Sequence, residues 1–244
     1  MVIGIIALLI GILLPVLSKA REAANTLVCA THLREIGMAS FTYAADNKGK
    51  LPIPIGGGAN GNLTYSAILM KPDNSFWGQM DFGKGTLSPF LQSARLAERL
   101  FSCPSDSDPR WGSFQPVTAD PFVPLTPSPA TTRNFSYAFN AKLDGDIVLS
   151  DYSGIKISEI RRPSEKFLVH EAFMPSNANV IAVIYNVDNI PSTILLSFRH
   201  GGKSNQCFAD GHVELFDPSI LRDNTVTDPY KSRAFLRYIL PKAQ

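Results

Sequence analysis

The first seventeen residues, Met1 to Leu17, carry no charge and consist mostly of Leu, Ile and Val. Past Ser18 the pattern changes without a break. Ala20, Ala24, Leu27, Leu33, Ile36, Ala39 and Tyr43 recur at three- and four-residue steps, with Lys19, Arg21, Glu22, Arg34 and Glu35 between them. Such spacing lines up one face of an α-helix. An oily half fused to an amphipathic half predicts one helix from about Val2 to about Ala45. The turn signal Asp46-Asn47-Lys48-Gly49, then Pro52 and Pro54, stops it. The oily half falls a little short of the roughly 20 residues that span a bilayer core. A cleaved secretory signal would open on basic residues, and this start has no Lys or Arg. A core helix of a globular protein would show a polar face, and this run has none. It therefore reads as a helix for lipid or for the centre of a filament. Gly4 and Gly11 suit close helix contact, and Pro15 is expected to loosen or kink the helix.

Beyond the helix the texture turns extended and irregular. Leu51 to Gly61 is extended and glycine-rich, and Ser66 to Met70 reads as a short helical turn. Phe76-Trp77-Gly78 and Phe82 are expected to fold back on the stalk. Ser88-Pro89 reads as an N-cap followed by Pro at the first helical position, and a helical segment is expected near Ala94–Phe101. Prolines at 109, 116, 121, 124, 127 and 129 exclude helix and central strand from Ser105 to Arg133, which reads as a long surface loop.

From Asn134 the alternation is that of strands. Phe135, Tyr137 and Phe139 alternate with Ser136, Ala138 and Asn140. Short apolar pieces follow at Ile147–Leu149 and Ile155–Ile157, then a turn at Arg162–Glu165. Strands are predicted over Lys166–Ala172, Val180–Tyr185 and Ile194–His200. Gly201–Ser204 is a turn, and Asn205–Phe216 is a returning strand. Together they predict an antiparallel sheet of about four or five strands built from hairpins. Asp228-Pro229 then opens a closing helix with Tyr230, Ala234, Phe235, Tyr238 and Ile239 on one face. The fold class expected is α+β: a long hydrophobic stalk helix over 1–46, a loop-rich αβ connecting region over 47–133, and an antiparallel β-sheet head with a short C-terminal helix over 134–244.

Composition narrows the function. The chain has 244 residues, of which 45% are hydrophobic. Setting the stalk aside leaves about 200, enough for one domain with a sizeable core. Its 23 basic and 21 acidic side chains leave a formal charge of +2 with no basic run, which argues against a nucleic-acid partner. The three cysteines, Cys29, Cys103 and Cys207, form no CxxC pair, so a zinc ribbon or redox motif is not expected. If the head lies outside the cytoplasm a disulfide becomes possible, with Cys29 and Cys103 the pair to test. Cys207, within Asn205-Gln206-Cys207-Phe208-Ala209, reads as a small buried strand residue.

The densest polar cluster runs from His200 through Asp210, Gly211 and His212. In one extended strand Asp210, His212 and Glu214 would share a face, with alternate Cβ atoms about 7 Å apart. His200, Asp210 and His212, with His170 and Glu171 on an adjacent strand, are thus candidates for a metal site with an open position or for acid–base chemistry. Against this stands a purely structural reading in which Asp210-Gly211 is a turn and His200 caps the hairpin. The acids Asp217, Asp223 and Asp228 are a looser set that could bind calcium, or simply solvated turns. Nucleophile elbow, phosphate loop, HExxH and EF-hand patterns are all missing.

The run from Val2 to Ala24 resembles the N-terminal helix of type IV pilin-like proteins and type II secretion pseudopilins. The spacing from His200 to Asp210-Gly211 is similar to that of the prepilin-type group named for H-X9-DG. Other pieces fit the same group: Cys29 with Leu33-Arg34-Glu35-Ile36-Gly37, Tyr43 with Asp46-Asn47 and Gly49, Phe101-Ser102-Cys103-Pro104-Ser105-Asp106, Ser136-Tyr137-Ala138-Phe139-Asn140, and Pro163-Ser164-Glu165-Lys166. The resemblance implies a non-enzymatic filament subunit without a cofactor. Its helix, through Ile5, Leu9, Leu13 and Pro15, would pack on copies of itself, on other pseudopilins and on lipid. It also implies secretion-system inner-membrane partners and a single inner-membrane pass with the head in the periplasm or cell envelope. The basic leader, Gly cleavage site and Phe-Thr-Leu-hydrophobic-Glu start of such proteins do not precede the helix here. The resemblance therefore implies a full-length form that prepilin peptidase cleaves and methylates. Lys19 and Arg21 flank only the C-terminal side of the span, which by the positive-inside rule alone puts the head in the cytoplasm. The resemblance implies the opposite orientation, with the leader supplying the basic charge. The alternative expectation is a membrane-anchored metalloenzyme or ligand-binding module using the His200/Asp210/His212 hairpin.

Overall fold

In the computed structural model, the structure describes residues 2–52, 56–57, 63–64, 69–70, 80–81, 87–91, 99–106, 136–140, 154–173, 182–183, 195–221 and 238. One helix, α1, runs from Val2 to Asp46. At 1.5 Å per residue its 45 residues span about 68 Å, far more than the head needs. Its secondary structure is unbroken across Pro15. Pro15 has no N–H to give, so the Gly11 carbonyl four positions back is left without its amide partner.

Two halves of α1 live in different surroundings. From Val2 to Leu17 every residue is exposed, and twelve large apolar side chains there are between 49% and 83% exposed. The helix is long and apolar enough to cross a membrane, and none of its most apolar window is buried. From Cys29 onward Cys29, Leu33, Ile36, Gly37, Ala39, Ser40 and Ala44 are buried. The packed stripe therefore starts later than the sequence periodicity implied. Ala20, Ala24 and Leu27 are exposed, Leu27 by 70%. Leu27 lies off the stripe that faces the head, which continues through Thr26, bonded to His200 and Asn205.

The head is a sheet with strands β5 (Tyr137–Asn140), β6 (Phe167–Phe173), β7 (Ala182–Val183), β8 (Leu195–Leu196), β9 (Ser204–Phe208) and β10 (Val213–Phe216). Preceding these are two small hairpins, β1 (Gly56–Gly57) with β2 (Leu63–Thr64) and β3 (Leu69–Met70) with β4 (Met80–Asp81). The main order is β10-β9-β6-β5-β7, with β8 pairing β6. Strands β10, β9, β6 and β5 pair antiparallel in sequence, as expected, whereas β7 joins β5 in parallel.

Several expectations need correction. The returning strand over 205–216 is two strands, with Asp210-Gly211 the turn between them. Leu69–Met70 is strand rather than helical turn. Ser88 is not a cap: Leu87 takes that place ahead of a 3-10 turn over Ser88–Phe90, without a side-chain bond. The expectations over 71–79, 92–98, 107–135, 141–153 and 222–237 lie outside the described residues. Of the closing helix only Tyr238 is described, helical and stacked on Phe167 at 5.1 Å.

Side-chain alternation decides which residues look at α1. Tyr137 and Glu171 are cross-strand partners, as are Phe139 and Val169, and Val169 and Cys207. All lie on the face toward the helix. Tyr137 meets His32 edge-on at 6.3 Å, and Cys207 Sγ lies 2.7 Å from where a Cβ on Gly37 would stand. The glycine lets the helix backbone sit against that sulfur, which an added Cβ would press on. Leu33, Ile36, Phe101, Leu87 and Phe139 fill the space between. At the far end Phe167, Phe208, Phe216 and Tyr238 form an aromatic cluster with centroids 5.1 to 6.4 Å apart.

Candidate functional site

Strand β6 meets two chain segments in succession. Phe173 and Ala172 pair with Leu195 and Leu196 in β8, then His170 and Val169 pair with Gln206 and Cys207 in β9. The residues between β8 and β9 are looped out opposite Glu171. That loop holds Phe198, Arg199, His200, Gly201, Gly202 and Lys203. Gly201 and Gly202 have φ of 62° and 82°, the left-handed region that a side chain disfavours, and they close a tight turn between His200 and Lys203.

The loop is folded around one buried carboxylate. Glu171 is fully buried, and His200 is 4% exposed. His200 Nε2 lies 2.8 Å from Glu171 Oε1. The Asn205 amide side chain donates to the same oxygen at 3.0 Å. Asn205 N–H and the Ser197 hydroxyl donate to Oε2 at 3.0 and 3.3 Å. A carboxylate with four donors is satisfied in a place where an unpaired one would be very costly.

The helix side completes the site. Thr26 Oγ1 donates its hydrogen to the Glu22 carbonyl at 2.9 Å and lies 3.1 Å from His200 Nδ1. With that hydrogen committed, the hydroxyl oxygen is an acceptor, so Nδ1–H donates to it. Asn205 also reaches the Thr26 carbonyl at 3.3 Å. Beside the imidazole, Cys29 of α1 and Cys103 are joined as a disulfide, with Cα atoms 5.4 Å apart. Cys103 Sγ lies 3.6 Å from His200 Nε2. Arg199 holds Asp106 at 2.9 Å, Ser136 donates to the same carboxylate at 2.7 Å, and Ser136 Oγ accepts from Cys103 N–H at 2.9 Å. The Cys103–Asp106 turn is thereby fixed to α1, to the start of β5 and to the loop.

The candidate ligand set read from sequence is not brought together. His200 sits at one end of β9, buried against Glu171, while Asp210 and His212 lie past its other end. A five-residue strand separates them by about 17 Å. Asp210 is exposed and accepts from His212 Nδ1 and from His212 N–H, and His212 stacks flat on Phe208 at 4.2 Å. His212 Nε2 and Glu214 are 4.0 Å apart at the surface. Gly211, with φ of 92°, places its backbone against the Phe41 ring, 3.0 Å from an added Cβ. The two ends of the H-X9-DG spacing thus clamp α1 at Thr26 and at Phe41. Asp217 is a turn residue. The Ser219 hydroxyl and N–H hold its carboxyl below the ordinary range, and Asp223 and Asp228 lie outside the described residues.

His170 faces away from α1, fully buried, and neither ring nitrogen finds a partner. Desolvation lowers its pKa to about 3, so the ring is neutral. Burial likewise pushes the Cys207 thiol up to about 12, which makes it an inert packing group. Glu171 carries the site, yet the periodic pattern flagged it only as a neighbour of His170. The stronger signal was its place in strand alternation: a carboxylate on the same face as Val169 has to be paired. No protein-family model, curated protein or solved structure matches the chain.

Proposed function

We propose that this chain is a pseudopilin-like structural subunit of a bacterial envelope filament, of the type II secretion or type IV pilus kind, and that it catalyses no reaction. The observation that carries this reading is the single helix with two fates. Its C-terminal half is locked into the head, while its N-terminal half offers twelve exposed large apolar side chains. Burying one such side chain is worth about 1.5–3 kcal/mol, so the run belongs in lipid or among sister helices. Gly4 and Gly11 have nothing within 4 Å of an added Cβ, which leaves room for a neighbouring backbone. The Cys29–Cys103 disulfide supports a head in an oxidising compartment outside the cytoplasm. The His200–Gly211 segment then serves to hold the stalk on the head.

The test is cross-linking in native membranes. Ile5→Cys or Leu9→Cys should trap disulfide-linked homo-oligomers, whereas Lys203→Cys on the exposed loop should not. Monomers alone from both helix variants, in chains that still partition into membrane, would leave a plain single-pass anchor and overturn the filament reading.

A further inference from the structure

The buried cluster where stalk meets head has the composition of a metal centre as well as of a structural knot. One ligand atom from each of Cys29, Cys103, Glu171 and His200 lies within 4.8 Å of the others, and all four residues are buried. We propose that, once the Cys29–Cys103 bond is reduced, these four side chains hold a zinc-type divalent cation in a tetrahedral site of two thiolates, one imidazole and one carboxylate. The inference does not depend on the filament reading.

Geometry is the first ground. Bond lengths of about 2.3 Å to sulfur and about 2.0–2.2 Å to nitrogen and oxygen put tetrahedral S···N neighbours about 3.6 Å apart and N···O neighbours about 3.4 Å apart. Cys103 Sγ and His200 Nε2 are already 3.6 Å apart, and His200 Nε2 and Glu171 Oε1 are 2.8 Å apart. The sulfurs need only turn apart and the imidazole give way slightly. All four residues sit on separate, well-braced segments: α1, the turn after Phe101, β6 and the β8–β9 loop.

The surroundings of the ligands are the second ground. A histidine that binds metal through Nε2 needs its Nδ1–H fixed by an acceptor. Thr26 Oγ1 is that acceptor at 3.1 Å, since its own hydrogen is given to Glu22. Glu171 keeps Oε2 on Asn205 N–H and Ser197 while Oε1 faces the imidazole. His200 Nε2 and Glu171 Oε1 already face each other at 2.8 Å, the juxtaposition of two ligand atoms that a cation between them would use.

The chemistry balances. A dithiol reductant gives two electrons and two protons to the Cys29–Cys103 bond and becomes a disulfide itself. The entering cation then displaces both thiol protons, together with any proton shared by His200 Nε2 and Glu171 Oε1. Two thiolates and one carboxylate leave a net charge of −1 on the centre. The donors around Glu171, with Thr26, are placed to stabilise it.

The test uses the full chain in detergent micelles, produced and kept under a dithiol, with cobalt as the probe. Expected are the thiolate charge-transfer and tetrahedral ligand-field bands at one cobalt per chain, bleached by added zinc. The oxidised chain and Cys29→Ser give no such bands, and Cys207→Ser keeps them. Thr26→Val, which removes the Nδ1 acceptor along with the hydroxyl's exposed bond to the Glu22 carbonyl, should weaken cobalt about tenfold. Reduced protein without the bands, whether folded or not, overturns the proposal. So does a spectrum that survives Cys29→Ser or needs Cys207, or a cobalt affinity unchanged in both His200→Ala and Glu171→Gln.

Discussion

At the scale of single residues, Gly37 and His170 are where this structure is most exposed to test. Gly37 lets α1 approach β9 so closely that a Cβ would stand 2.7 Å from Cys207 Sγ. Alanine is the better helix former by about 1 kcal/mol, yet overpacking should win and Gly37→Ala should cost about 1–3 kcal/mol. Urea unfolding in detergent measures it. Cys207→Ala in the same chain should recover most of the loss, because the sulfur is the obstructing atom. His170 makes a different prediction. Its folded pKa is about 3 against 6.5 for a free imidazole, so the unfolded chain binds the extra proton. Its contribution is therefore fully present above pH 6.5 and drains away as pH falls toward about 3. Between pH 7 and pH 5 the loss is about 2 kcal/mol from this ring alone. His170→Leu should flatten the stability profile by that amount. It should cost little at pH 7, since the ring and the facing Gln206 Oε1 have no partners to lose.

At the scale of elements, the segment from His200 to Gly211 grips α1 twice. Phe41 lies fifteen residues on from Thr26, about 22 Å along the helix. Glu171→Ala removes the hub of the first grip and leaves His200 and Asn205 buried without their acceptor. It should cost about 3–5 kcal/mol. Gly211→Ala strains a φ of 92° and presses on Phe41, and it should cost about 1–3 kcal/mol. The sites are too far apart to share partners, so the double variant should show the sum to within about 0.5 kcal/mol. A strong shortfall from additivity in the unfolding data would mean the two grips act as one. This arrangement also explains what was legible in advance. Helix α1 and strand β6 follow from the residue pattern alone, at Leu33-Ile36 and at Phe167–Ala172, whereas β9 is only the first part of what the pattern reads as one strand over 205–216. The His200 and Asp210 pairing into one site failed for a physical reason. Strand alternation was extended through Asp210-Gly211, where a left-handed glycine ends the strand and turns the chain. Glu171 was hidden because its partners come from residues 26, 197 and 205, which only the folded sheet brings together.

At the scale of the whole molecule, one helix couples two bodies that depend on different solvents. The head draws its stability from the core between α1 and the sheet and from the disulfide. The outer half of α1 touches none of it, since none of its most apolar window is buried. The disulfide closes a loop of 74 residues, for which chain entropy gives about 4 kcal/mol. Replacing Cys29 and Cys103 with serine should lower head stability by roughly that amount in urea unfolding, while flotation with membranes stays unchanged. Leu9→Arg should do the reverse. A charge at mid-span costs about 2.5–3.5 kcal/mol in lipid, and Leu9 is 62% exposed with nothing in the head to disturb. Membrane flotation should fall and the unfolding midpoint should hold. If Leu9→Arg destabilised the head instead, the oily half would be packing on its own chain. Its exposure would then no longer need lipid or a second copy to account for it.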